Sequence, residues 1–182
     1  MKWLIASDIH GSAYYCEKLL AAYREEKADR LLLLGDILYH GPRNDLPEGY
    51  APKAVISMLN EYRKEILAVR GNCDTEVDQM VLSFPVLADY GILTVGDKLI
   101  YATHGHVYNS DRLPPLTEKD ILLHGHTHVP VCREAEDHIY MNPGSVSIPK
   151  ENSPHSYMTL EDGSFLWKDL LSGEVYKEFH LA

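Results

Sequence analysis

Five short stretches of this sequence carry side chains suited to holding a metal ion. Asp8 and His10 are separated by one residue, Asp36 follows a glycine, and Asn72 lies in Gly71-Asn72-Cys73-Asp74. His104-Gly-His106 and His124-Gly-His126-Thr-His128 supply the rest. Carboxylate and imidazole together suit Zn, Mn, Fe or Ni. Taken singly, each stretch has a plainer reading. Asp8-x-His10 arises by chance and alone reads as a surface loop. Gly35-Asp36 is a common turn, and Gly71-Asn72-Cys73-Asp74 could be a turn that uses Gly and Asn for positive φ. Jointly they say more. Seven of the ten histidines (His10, His40, His104, His106, His124, His126 and His128) lie beside the ends of predicted strands. Histidines with scattered structural roles would not be so placed.

The elements that must position these residues are legible from apolar runs. Trp3 to Ala6 reads as a buried strand delivering Asp8 and His10 at its C-terminal end. Tyr15, Leu19, Leu20 and Tyr23 recur at helical spacing, with Ser12 as N-cap. Arg30 to Leu34 is a second buried strand leading to Asp36, so the first unit is β-α-β with parallel strands. Tyr39 to Pro52, rich in Gly, Pro, Asn and Asp, reads as a loop after Asp36 with the character of a lid. Lys53 to Tyr62 follows as a helix and Glu65 to Val69 as a strand leading to Asn72. Ile92–Val95 and Leu99–Ala102 form a hairpin about Gly96-Asp97, ahead of His104. Asp120 to His124 precedes His126 and His128. Val129–Arg133 and His138–Met141 flank a turn, and three more strands (Ser156–Leu160, Phe165–Leu170, Glu174–Phe179) complete the chain. Ligands of α/β folds gather at the carboxyl ends of strands, where all these donors fall. The N-terminal part is α/β and the C-terminal part mostly β, with no linker between them. Residues 1–182 are therefore expected to form a single domain of two packed sheets with helices outside.

Composition narrows the function. Seventeen Lys and Arg against 27 Asp and Glu give a formal net charge of −10, which repels a long polyanion, so long nucleic acid is an unfavourable partner. A small phosphate ester drawn to a pocket of cations is not excluded. Cys16, Cys73 and Cys132 are too few and too scattered for a disulfide framework and fit a reducing cytoplasm. The apolar run at the start is too short for a signal peptide, and no run reaches membrane-spanning length, so no membrane partner is expected. Apolar and Tyr residues in the terminal strands leave room for a homo-oligomer interface.

In the order Asp8-x-His10, Gly35-Asp36, Gly71-Asn72-x-Asp74, His104 and Gly125-His126-x-His128, the chain resembles the calcineurin-like metallophosphoesterase superfamily, and within it the small bacterial phosphodiesterase branch. The resemblance implies an α/β metallophosphoesterase fold, an αββα sandwich of two mixed sheets flanked by helices. It implies two divalent metal ions, most often Mn²⁺, with Zn²⁺, Fe or Ni²⁺ as alternatives. By position, Asp8, His10 and His128 would hold the first ion, Asn72, His104 and His126 the second, and Asp36 would bridge them. Two such ions roughly 3.5–4 Å apart can clamp an in-line displacement and deprotonate water near neutral pH, so hydrolysis of a small phosphate diester by metal-bound hydroxide is the expected reaction. Asn72, Cys73, Asp74 and His104 are the expected catalytic group. The superfamily also contains phosphomonoesterases, nucleases and a non-catalytic scaffold subunit, and these are the alternatives.

One departure matters. Many members carry His where this chain has Cys73, and there His is thought to assist the leaving oxygen. A thiol beside two cations should lose its proton easily, and a thiolate is a poor proton donor, so the site should work best on esters whose leaving group needs little help. For Asp74, orientation of a neighbouring ligand and capping of a helix before Thr75-Glu76 are equally open. His106 could touch substrate or a ligand. His124 reads as structural, and His40 and Arg43 as solvated loop residues. Asn142-Pro-Gly-Ser145 reads as a turn that could pack below the site.

Overall fold

The computed structural model describes residues 1–117 and 119–181. Their elements run β1 (Trp3–Ala6), α1 (Ala13–Glu25), β2 (Arg30–Leu33), α2 (Pro52–Glu61), β3 (Ile66–Ala68), α3 (Glu76–Val81), β4 (Gly91–Val95), β5 (Lys98–Thr103), β6 (Asp120–His124), β7 (Pro130–Glu134), β8 (His138–Pro143), β9 (Ser156–Glu161), β10 (Ser164–Asp169) and β11 (Val175–His180). One sheet has the order β11-β10-β9-β1-β2-β3 and the other β4-β5-β6-β8-β7. Both are mixed. β1, β2 and β3 are parallel, with β9 antiparallel to β1. β5, β6 and β8 are parallel, with β4 and β7 antiparallel at the edges.

The parallel neighbours β1, β2 and β3 need crossovers, and α1 and α2 provide them. The Ser12 hydroxyl caps α1 by accepting from the Tyr15 N–H at 3.2 Å, which satisfies an otherwise orphaned donor. Pro52 opens α2 at a position where a missing N–H is harmless. Tyr15, Cys16, Leu19, Leu20 and Tyr23 of α1 and Val55 and Leu59 of α2 bury against Leu4, Ala6, Leu31 and Leu33. The alternate residues of the same strands, Ile5 and Leu32, face the other way. They meet Ile100, Ala102, Ile121, Leu123, Ile139 and Met141 of the second sheet. This period-two division of β1 and β2 between two cores is what holds the layers together. Phe165 and Trp167 of β10 close the inter-sheet core, both at 0% exposure. Truncating either to Ala should destabilise the fold by about 3–5 kcal/mol.

The two-sheet sandwich is the expected one, with α1 and α2 on the outer face of the six-stranded sheet. Across the sandwich, Tyr101 is covered by Tyr90, stacked at 4.7 Å, and by Tyr108, edge-on at 5.8 Å. The three C-terminal strands extend the sheet of β1 through the β1–β9 pairing. The short helix α3 has no buried residue and so no apolar stripe to reveal it. A capping box between Thr75 and Asp78 starts it. The segment 39–50 is tied down, because the Ser12 hydroxyl donates to the Glu48 carbonyl at 2.6 Å and the Asn44 amide to the His40 carbonyl at 2.8 Å.

Candidate metal centre

The residues singled out in sequence converge at the carboxyl ends of β1, β2, β3, β5 and β6. His10 Nε2 lies 3.3 Å from His128 Nε2 and 3.5 Å from Asp8 Oδ1, and His128 Nε2 lies 3.2 Å from the same oxygen. A second group surrounds His104 Nε2, which faces Asn72 Oδ1 at 3.1 Å and His126 Nδ1 at 3.2 Å. Asp36 stands between the groups, its Oδ2 being 3.7 Å from His10 Nε2 and 3.4 Å from His104 Nε2. Its other oxygen accepts from the Cys73 N–H at 2.8 Å, which fixes the direction of the free one.

The main chain decides which ring nitrogens are available. The Nδ1 atoms of His10, His104 and His128 lie 2.7, 2.6 and 2.6 Å from the carbonyls of Tyr39, Leu34 and Ile148. A carbonyl only accepts, so each Nδ1 carries the proton and each neutral ring turns an Nε2 lone pair inward. Lone pairs and carboxylate oxygens then face one another at about van der Waals contact, an arrangement that repels unless a positive charge lies among them. Asp8 Oδ1 is buried without a hydrogen-bond partner among the described residues. Asp8 and Asp36 are 0% and 2% exposed, and buried carboxylates are retained only when compensated. The donor set therefore fits divalent cations.

Without a cation, protons take that place. Burial disfavours a charged His104, but hydrogen bonding to Asp36 and the charges of Asp8 and Asp36 outweigh it and raise the ring to about 9. His10 is raised in the same way: burial opposes the shift, and Asp8 drives it. Burial also opposes ionisation of Asp8 and Asp36, but the adjacent imidazoles hold both carboxyls below the ordinary value. Burial and the charge on His104 push His126 down to about 4. Cys73 is pushed up to about 12 by burial and by the carboxylates around it. In the metal-free site, then, the thiol stays protonated; only cations could shift it toward the thiolate expected from sequence.

Backbone conformation marks the same residues. Asp8, His10, Asp36, His126 and His128 all have φ between 49° and 66°, the left-handed region that costs a residue with a Cβ about 1–2 kcal/mol. Asp and His tolerate this region better than most residues, and such conformations gather at functional sites. Glycine allows the close approaches around them. A Cβ on Gly71 would overlap Asp36 Oδ1, and one on Gly125 would overlap Ser7 Oγ and stand 2.7 Å from Asp8 Oδ2.

The remaining candidates separate by geometry. Asp74 is 1% exposed and accepts from the N–H groups of Asp36, Ile37 and Gly71 at 2.8, 2.9 and 2.7 Å. It ties the Asp36 turn to the Gly71-Asn72 turn, and Thr75, not Asp74, caps α3. His124 is buried, stacks on Tyr140 at 4.5 Å, and is lowered by burial to about 4. His106 is exposed at the rim, its ring 5.4 Å from His104. His40 packs between Tyr39 and Tyr50, and Arg43 is exposed. The 142–148 turn contributes more than its sequence suggested. Ser145 and Ser147 hydroxyls both donate to the Asp8 carbonyl at 3.0 Å, and the Asn142 amide donates to the Gly125 carbonyl at 2.9 Å. The string Asn-Pro-Gly-Ser is its only trace in sequence.

Residues 1–163 match the family model of the calcineurin-like phosphoesterase superfamily domain, and the chain belongs to this superfamily. It is 48% identical over 162 residues to the phosphodiesterase YfcE of Escherichia coli K12, covering 89% of this chain and 88% of that protein. The solved structure of YfcE, described as a phosphoesterase from E. coli, superposes with a TM-score of 0.96 at 43% identity over 100% of both chains. Wild-type Vps29 of Entamoeba histolytica, solved with zinc, shares the fold at a TM-score of 0.59 and 19% identity, over 99% of each chain. Among the described residues no helix is long and apolar enough to cross a membrane.

Proposed function

We propose that this chain is a dinuclear metal-dependent phosphodiesterase acting on small phosphate diesters. The observation that carries the reading is the place of Asp36 Oδ2, 3.7 Å from His10 Nε2 on one side and 3.4 Å from His104 Nε2 on the other. Asp8, His10 and His128 would hold one divalent ion, Asn72, His104 and His126 a second, and Asp36 would serve both. When bound, such a pair neutralises charge on the phosphoryl oxygens and lowers the pKa of water. The protein's own part is to hold the imidazoles of His10, His104 and His128 in the Nε2-acceptor form and to present a neutral amide at the exposed position of Asn72. Through Asp74 it also keeps the two turns that carry Asp36 and Asn72 in register. Cys73 adjoins Asp36 and offers little as a proton donor to a leaving oxygen. The likeness to a named phosphodiesterase supports the diester as substrate, and the net charge of −10 supports a small one rather than long nucleic acid.

Mn²⁺ is our choice of ion, with Zn²⁺, Fe and Ni²⁺ compatible with the same donors. Three free cysteines support a cytoplasmic setting, and we read residues 1–182 as one domain able to form a homo-oligomer. The test is hydrolysis of an activated aryl diester beside its monoester with Mn²⁺. Diester turnover exceeding monoester turnover and abolished by EDTA is the expected result. Dominant monoester turnover would reassign the substrate. Absence of both metal uptake and hydrolysis would turn the reading to a scaffold subunit.

A further inference from the structure

The sulfur of Cys73 forms a further group of donors with two of the residues already described. Cys73 Sγ, His10 and Asp36 each offer a ligand atom, and these atoms all lie within 4.8 Å of one another. His10 is shared with the neighbouring cluster of Asp8, His10 and His128. Donors bound to one ion by bonds of roughly 2.0–2.3 Å stand no more than about 4.5 Å apart, so the sulfur is within a small adjustment of a bonding position. It is also held there. The Cys73 N–H is anchored on Asp36 Oδ1 at 2.8 Å, the Asn72 amide donates to Sγ at 3.2 Å, and a Cβ on Gly41 would stand 3.2 Å from the sulfur. A second sign that an ion is wanted beside His10 is Asp8 Oδ1 of the adjoining group, fully buried, without a hydrogen-bond partner among the described residues and 3.5 Å from His10 Nε2.

We propose that Cys73 Sγ is a further ligand of the ion served by His10 and Asp36, which gives one of the two centres a soft donor. The inference rests on the metal-site reading above. Ligation exchanges the S–H bond for a sulfur–metal bond and releases the proton to solvent, with no change of oxidation state. Thiolate favours thiophilic ions, so the two centres differ in preference, one accepting Zn²⁺, Co²⁺ or Cd²⁺ more readily than the other.

The test replaces the native ions with Co²⁺ after chelation, measures cobalt per chain, and records the near-ultraviolet sulfur-to-cobalt charge-transfer band. Cobalt uptake with that band in the wild type is expected. Its loss in Cys73→Ser and its retention in Cys16→Ser and Cys132→Ser are expected as well. Cys73→Ser should also weaken Cd²⁺ binding by about tenfold or more while leaving Mn²⁺ binding nearly unchanged. A melting curve of Cys73→Ser superimposable on wild type shows that the variant is folded. Cobalt bound without the band, or a band that survives Cys73→Ser, overturns the sulfur ligand and leaves the metal site standing. No cobalt uptake by the wild type overturns both.

Discussion

Asp74 offers the sharpest test of how the centre is held, because it would touch no metal. Its Oδ2 accepts from the N–H groups of Asp36 and Gly71 and its Oδ1 from that of Ile37. Asp74→Ala leaves all these donors buried and unpaired. At about 1.5–3 kcal/mol for a hydrogen bond to a charged group, the loss is about 4.5–9 kcal/mol before relaxation. Set against a folding margin of about 5–15 kcal/mol, that is enough to threaten the fold. Asp74→Asn is milder. With its oxygen at the Oδ2 position it keeps the bonds to Asp36 and Gly71 and sets its NH₂ against the Ile37 N–H, at about 1–3 kcal/mol. Urea unfolding of the metal-stripped proteins measures both. The midpoint should fall modestly for Asn and severely for Ala, with an unchanged slope. Ion affinity should fall with it, since the Asp36 turn is no longer tied to the Asn72 turn. An Asp74→Ala variant with a wild-type midpoint would refute the argument. Stability retained in both Asp74→Ser and Asp74→Asn would point back to a capping role.

Further outcomes follow from the same geometry. In the metal-stripped protein His104 is raised from 6.5 to about 9, so its stabilisation is fully present below pH 6.5 and is lost as pH rises toward 9. Urea midpoints across that range should show this component declining, while equilibrium dialysis shows Mn²⁺ affinity climbing as protons cease to compete. Gly71→Ala places a methyl on Asp36 Oδ1 and should abolish ion uptake measured by elemental analysis. Gly96→Ala, with no atom within 4 Å, should bind normally and lose only about 1 kcal/mol to its positive φ. Cys73→His, compared at matched metal occupancy, should raise turnover of diesters with poor leaving groups more than that of activated aryl diesters. Equal changes for both would remove proton donation from the account.

The donors could be found in sequence because their types are unusual at strand ends and because β1, β2 and β6 are apolar enough to announce themselves. The two cores could be inferred for the same reason, since buried parallel strands are apolar on both faces. What stayed hidden was whatever has no residue-type signature. The carbonyls of Tyr39, Leu34 and Ile148 orient three rings, yet any residue supplies a carbonyl. Ser145 and Ser147 brace the Asp8 backbone, and serine is common in turns. Helix α3 buries nothing, so its periodicity is blank. The β1–β9 pairing joins segments some 150 residues apart, and local pattern says nothing about which edge a late strand will find.

The carbonyl-locked imidazoles also bear on how the protein comes by its cargo. Because the rings of His10, His104 and His128 are already turned toward the pocket, loading would need a proton to leave but no reorientation of those imidazoles. Nitrogen and oxygen donors of this kind would accept several ions. Discrimination among them would then fall to the one place where a sulfur adjoins the cradle.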